Sequence, residues 1–108
     1  MSLPNATKYE KLEGVKMKAY IAGKITGNEN FKVEFGNATI DLEAQGYSVM
    51  NPAVLNKGFE QMEYLHVCKA MIDVCDVIFF LPTWTTSPGS NFEMGYATGI
   101  KKDIRFIV

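Results

Sequence analysis

The segment Ser87-Pro88-Gly89-Ser90-Asn91-Phe92-Glu93 carries the strongest chemical pattern in the chain. A carboxylate follows two serines and a glycine, just where an apolar stretch begins. A carboxylate in the first turn of a short helix is held ionised by the helix dipole, which leaves it available as a nucleophile. Ser87 and the N–H groups around Gly89 can bind a phosphate or a sugar hydroxyl, with Ser90 and Asn91 beside them. A plainer account competes. Ser90-x-x-Glu93 has the spacing of a capping box, in which Glu93 reaches back to the Ser90 backbone and serves the helix alone.

A second group is the loop Gly23-Lys24-Ile25-Thr26-Gly27-Asn28. Gly23 and Gly27 let backbone approach a ligand closely. Backbone N–H groups, the Thr26 hydroxyl and the Lys24 ammonium together suit an anion. The spacing is neither GxxxxGK[ST] nor GxGxxG. An ordinary strand-to-helix turn with a solvated lysine explains the same residues.

Four further residues merit placing. Tyr20 falls near the carboxyl end of a predicted strand, either as a core tyrosine or as a hydroxyl facing the site. Trp84 falls on a loop, either to stack on a base or to pack on its own domain. Asp76 precedes a buried strand, at its amino end, where a polar group usually caps a turn; reaching the site as an acid is the weaker geometry. His66, the sole histidine, lies mid-helix and is read as a surface or interface residue. Cys68 and Cys75 are read as reduced cysteines on or beside a buried helix. No His/Cys/carboxylate cluster suggests a metal site, and no cofactor is expected.

These groups need elements to position them. Met17–Gly23 reads as a buried strand, 30–45 as a helix with a Phe31, Phe35, Ala38, Leu42 stripe, and Tyr47–Asn51 as a short strand. Asn30 is the expected N-cap and Gly46 the expected stop. Residues 60–74 read as a helix with two apolar faces, one for the sheet and one for a further partner such as another subunit. Val77–Leu81 reads as a central strand, 91–99 as a short helix and Ile104–Val108 as a last strand. The alternation predicts an α/β domain, doubly wound (Rossmann- or flavodoxin-like), with a mostly parallel sheet of four or five strands and helices on both faces. Ligands of such sheets bind beyond the carboxyl ends of the strands, which selects the loops 24–30, 52–59 and 82–92.

The 108 residues suit one domain, here 17–108, preceded by an arm or tail over 1–16. The chain is 47% hydrophobic with a net charge of -1, so it has a core and no basic stripe for duplex nucleic acid. No apolar run is long enough for a membrane span and no signal pattern is seen, so a cytoplasmic location is expected.

Three segments taken together resemble the nucleoside 2-deoxyribosyltransferase superfamily. They are Tyr20–Gly27, Cys75-Asp76-Val77-Ile78 and Ser87–Gly95, with the phrases Asn51-Pro52-Ala53 and Leu81-Pro82-x-Trp84 suggesting a small, often phage-encoded subgroup described as a domain of unknown function. The resemblance spans 17–108. It implies that Glu93 is a catalytic nucleophile, that Tyr20 orients it, and that Asp76 works near the base or sugar. Ser87 resembles the serine of the branch that hydrolyses nucleoside monophosphates, where the transferase branch has aspartate. Lys24, Thr26 and Gly27 align with that branch's phosphate loop, although Thr26 replaces its arginine and Lys24 stands where a serine is usual.

The implied reaction is double displacement at the anomeric carbon of a nucleoside or nucleotide, by a hydrolase or a transferase. The implied assembly is a homo-oligomer whose neighbours complete each site. A non-catalytic nucleotide-binding module of the same fold, or an assembly protein without a small ligand, are the alternatives.

Overall fold

A computed structural model describes residues 15–108; the arm expected over 1–16 lies, for residues 1–14, outside the described residues. The elements are β1 (Lys18–Ala22), α1 (Phe31–Ala44), β2 (Ser48–Met50), α2 (Gln61–Val74), β3 (Val77–Phe80), α3 (Pro88–Gly99) and β4 (Asp103–Phe106). Short 3₁₀ turns at Pro52–Val54 and Pro82–Thr86 follow β2 and β3. The four strands form one parallel sheet in the order β2-β1-β3-β4.

Burial follows from that order. β3 lies between β1 and β4, and all four of its residues are buried, as a continuous Val-Ile-Phe-Phe run requires. Alternate residues of β1 and β3 feed two cores. Ala19, Ile21, Val77 and Phe79 pack with Phe35, Ala38 and Leu42 of α1. Tyr20, Ala22, Ile78 and Phe80 pack with Cys68 and Ile72 of α2 and Ala97 of α3. Helices therefore cover both faces of a doubly wound sheet. Its order reverses between β1 and β3, the position where such sheets open a crevice at their carboxyl ends.

The helix ends explain how each loop is aimed. α1 stops at Gly46, whose φ of 98° lets Gly46 N–H donate to the Glu43 carbonyl and Tyr47 N–H to the Leu42 carbonyl. At its start Asn30 makes no side-chain cap; instead Asn28 Oδ1 accepts from Asn30 N–H. α2 matches its expected span, with Cys68 and Ile72 buried. Of its second apolar face, Tyr64, Val67 and Met71, Val67 is exposed, while Tyr64 lines a cavity and Met71 packs against the core.

The largest departure is at α3. It begins at Pro88, three residues before the expected start, and its N-cap is Ser87, whose Oγ accepts from Ser90 N–H at 3.1 Å. Ser90 lies within the helix, so the expected capping box does not form. Pro88 explains the shift, because proline at the first helical position has a preset φ and no N–H to leave unpaired.

Candidate functional site

A cavity of about 1150 Å³ opens at the carboxyl end of the sheet. All three selected loops contribute to its wall, through Ile25 and Thr26, through Pro52–Lys57, and through Ser87–Gly89. α2 presents one helical face to it, Gln61, Tyr64, Leu65 and Cys68, at i, i+3, i+4 and i+7. Tyr64 also donates to the Asn56 carbonyl at 2.6 Å, which ties the 52–59 loop to that helix. Asn51 Oδ1 accepts from Ala53 N–H at 2.8 Å and so shapes the turn that begins the same loop.

Tyr20 and Glu93 meet at this cavity. The Tyr20 hydroxyl donates to Glu93 Oε2 at 2.5 Å. Tyr20 is fully buried and Glu93 is 7% exposed. Glu93 lies in the second turn of α3, since the helix starts at Pro88. Burial pushes its carboxyl up to about 7, against the opposing effect of the Tyr20 hydrogen bond and, less, of the Cys68 side chain. Removal from water thus outweighs the polar neighbours. This corrects the expectation of a carboxylate held ionised by the helix dipole, whose effect falls off beyond the first turn. Burial, with the Glu93 charge second, holds the Tyr20 phenol well above its ordinary value.

The serines stand beside this pair. Ser87 and Ser90 are buried at 7% and 2% exposure and line the cavity with Gly89. Ser87 Oγ is engaged as the cap. Ser90 Oγ has no hydrogen-bond partner among the described residues. Gly23 and Thr26 also line the cavity. The glycine at 23 is required by packing: a Cβ there would lie 2.9 Å from Leu81 Cδ1 and 3.2 Å from Phe35 Cζ.

Other expected site residues fall elsewhere. Asp76 sits at the amino end of β3, where its Oδ2 accepts from Lys18 N–H at 2.8 Å and its own N–H donates to the Lys18 carbonyl at 2.7 Å. It is joined to the start of β1 and does not line the cavity, which opens at the other end of the strands. Trp84 is not part of the cavity wall. Its ring packs on Phe80 at 5.4 Å and Phe106 at 6.1 Å, over β3 and β4. Asn91 is a brace: its Nδ2 donates to the carbonyls of Trp84, Thr85 and Ser87. Lys24 and Gly27 belong to the loop after β1 but not to the wall. Gly27 serves the turn through its φ of 76°, and Lys24 N–H donates to Thr83 Oγ1.

The structure adds residues that spacing did not single out. Phe31, Lys32, Lys57, Gln61, Cys68 and Phe92 line the cavity. Among the described residues, Lys32 and Lys57 are its cations and Glu93 its only acid. The available signal was the α2 stripe through Leu65 and Cys68, which doubles as core and cavity wall. No group of three or more His, Cys, Asp or Glu among the described residues could hold a metal. No helix among them is long and apolar enough to cross a membrane.

The chain is a doubly wound α/β domain with its cavity at the carboxyl end of a parallel sheet, a fold shared with a solved transferase. The chain superposes on a 2-desoxiribosyltransferase from Leishmania mexicana with a TM-score of 0.66 and 23% identity, over 84% of its own length and 63% of that protein's. It belongs to the family described as Domain of unknown function (DUF4406), whose profile matches residues 17–106. No match was found among curated proteins.

Proposed function

We propose that this domain breaks or exchanges the N-glycosidic bond of a nucleoside or nucleoside 5′-monophosphate, as a hydrolase or a deoxyribosyltransferase. The observation that carries this reading is the buried Tyr20–Glu93 pair, a carboxyl and its orienting donor facing a cavity large enough for a nucleotide. In its carboxylate form Glu93 attacks the anomeric carbon. A C–O ester bond forms as the C–N bond breaks, and the bonding pair leaves with the base. Water, or the nitrogen of a second base, then displaces Glu93. Tyr20 holds the carboxylate during attack. Ser90 Oγ and the Gly89 N–H supply polar contacts to sugar or phosphate, and Ile25, Phe31 and Phe92 supply apolar surface for a base.

A second reading has one observation in its favour. A carboxyl pushed up to about 7 is largely protonated just below neutral pH, and a protonated carboxyl recognises a ligand by donating rather than by attacking. This describes a nucleotide-binding module of the same fold. In either case a homo-oligomer is consistent with the exposed Val54, Phe59, Met62 and Val67, and a reducing cytoplasmic setting suits the two free cysteines.

The test incubates the protein with a panel of nucleosides and 5′-monophosphates and follows release of free base. Release by wild type that Glu93→Gln abolishes supports the enzyme. Thermal stabilisation by the same compounds with no release supports the binding module. Equal release by wild type and Glu93→Gln would overturn the role of Glu93.

A further inference from the structure

The cavity wall carries two lysines that the proposed reaction does not use. Lys32 comes from the first turn of α1 and Lys57 from the 52–59 loop. Among the described residues neither side chain makes an ion pair or a hydrogen bond, and Glu93 is the one acid of the wall. A lysine in the first turn of a helix meets the positive end of the helix dipole, so Lys32 gains nothing for α1 from its place. Two ammonium groups against one carboxyl leave the wall with an excess of positive charge, which favours an anionic ligand.

The loop around Lys57 is pinned by one side chain. The Tyr64 hydroxyl, from the start of α2, donates to the Asn56 carbonyl at 2.6 Å and accepts from Phe59 N–H at 3.4 Å. The Tyr64 and Phe59 rings meet edge-on, with centroids 6.0 Å apart. Residues 56–59 are thus held at both ends, and Lys57 lies between. They belong to no helix or strand, so this latch fixes where the Lys57 backbone sits. A lysine side chain loses rotamer freedom when it binds, and a fixed backbone keeps that loss small.

The same wall offers further partners for the oxygens of an anion. Gln61 Nε2 lies 3.7 Å from where a Cβ on Gly89 would stand, so the first turns of α2 and α3 adjoin at the cavity. There the buried Ser90 Oγ has no hydrogen-bond partner among the described residues. The cavity's volume of about 1150 Å³ exceeds the roughly 300–1,000 Å³ of common small-molecule pockets, so it has room for more than a bare nucleoside.

We propose that Lys57 is a specificity-determining residue that pairs with the phosphate of a nucleoside 5′-monophosphate, and that Tyr64 is its positioning residue, holding 56–59 so that the ammonium meets the phosphate in the cavity. Lys32 adds to the attraction from α1. The inference rests on the nucleotide reading of the site above and makes the phosphorylated ligand the better one. It needs no bond to break, so it holds for an enzyme and for a binding module alike.

The experiment measures affinity calorimetrically for the common 2′-deoxynucleoside 5′-monophosphates and their matching nucleosides. It uses the full chain with Glu93→Gln, so that no bond breaks during titration, and adds Lys57→Ala, Lys57→Arg, Tyr64→Phe or Lys69→Ala in turn. At least one monophosphate is expected to bind about tenfold more tightly than its nucleoside, the scale of one charge-assisted contact. Lys57→Ala is expected to remove most of that advantage and Lys57→Arg to keep it. Tyr64→Phe keeps the ring and loses the hydroxyl; it should cut the advantage about threefold while nucleoside affinity stays within about twofold. Lys69 lies on α2 outside the cavity wall, with its Nζ over the Tyr96 ring, and Lys69→Ala should leave the advantage unchanged. Equal affinity for nucleoside and monophosphate overturns the proposal, as does an advantage that survives Lys57→Ala or falls equally in Lys69→Ala. So does the absence of monophosphate binding to both wild type and Glu93→Gln. An unchanged advantage in Tyr64→Phe, or an equal loss for both ligands, overturns the role of Tyr64. Base release from nucleosides by wild type without a phosphate advantage leaves the enzymatic reading standing and sinks this one; a phosphate advantage with no base release does the reverse.

Discussion

The Tyr20 hydroxyl and Glu93 Oε2 stand 2.5 Å apart although 73 positions separate them in the chain. One comes from β1, an inner strand of the sheet, and the other from α3. Each is buried, and burial disfavours the charged form of both. The outcome is a carboxyl poised near neutral, where it can change protonation state as a ligand arrives or leaves.

That poise has a consequence for stability. In the folded chain Glu93 keeps its proton up to about 7, and in the unfolded chain it releases it near 4.5. Between these values the folded state binds more protons, so raising the pH favours unfolding. The contribution of protonated Glu93 is complete below the unfolded value and is lost as pH rises through about 7. At most it amounts to roughly 3 kcal/mol, the free energy of the whole displacement. Urea unfolding at pH 5 and pH 8 is expected to show wild type less stable at the higher pH. Glu93→Gln should show a much smaller difference; an equal slope in both proteins would assign the effect to another group.

Gly23 offers a test that separates packing from ligand approach. An added Cβ would press on Leu81 Cδ1 at 2.9 Å, Leu81 Cβ at 3.0 Å and Phe35 Cζ at 3.2 Å. Gly23→Ala is expected to destabilise the domain by about 1–3 kcal/mol, the usual range for overpacking a core. The drop in Tm should appear without any ligand present. Wild-type stability in Gly23→Ala would show that the core yields more readily than its contacts indicate.

Trp84 is predicted to matter for stability and not for recognition. Its ring lies on Phe80 and Phe106, outside the cavity wall. Trp84→Ala should cost about 2 kcal/mol or more, while Trp84→Phe should retain most of the stability. Ligand affinity, measured calorimetrically on the folded Phe variant, should match wild type. A tenfold loss of affinity in Trp84→Phe would return this residue to the site.

The alternation of apolar strands and striped helices was enough to read the sheet, because each period reflects a local backbone geometry. Tyr20 and Glu93 were legible by their place in a resembled motif. What failed depended on neighbours distant in sequence. The start of α3 was misread because Ser87 and Ser90 are both serines at cap-like spacing, and Pro88 was the local cue that decides between them. The proton affinity of Glu93 was misread because its burial is made by β1 and α2, which no local pattern reveals. Trp84 was ambiguous for the same reason: its partner Phe106 arrives only when β4 pairs with β3. Asp76, in contrast, lies where its position before the strand had placed it, at the end away from the cavity.

The route of the chain through this site bears on synthesis. A nascent chain that has emerged only as far as β3 already carries Tyr20, Cys68 and the two cavity lysines, yet lacks the Glu93 carboxyl. Pairing two groups so remote in sequence closes a long loop, and closures of that kind are late and slow in folding. Recognition of a small molecule by the Tyr20–Glu93 pair would therefore begin only after α3 docks, so that a ligand captured during translation reports a domain whose last helix is already in place.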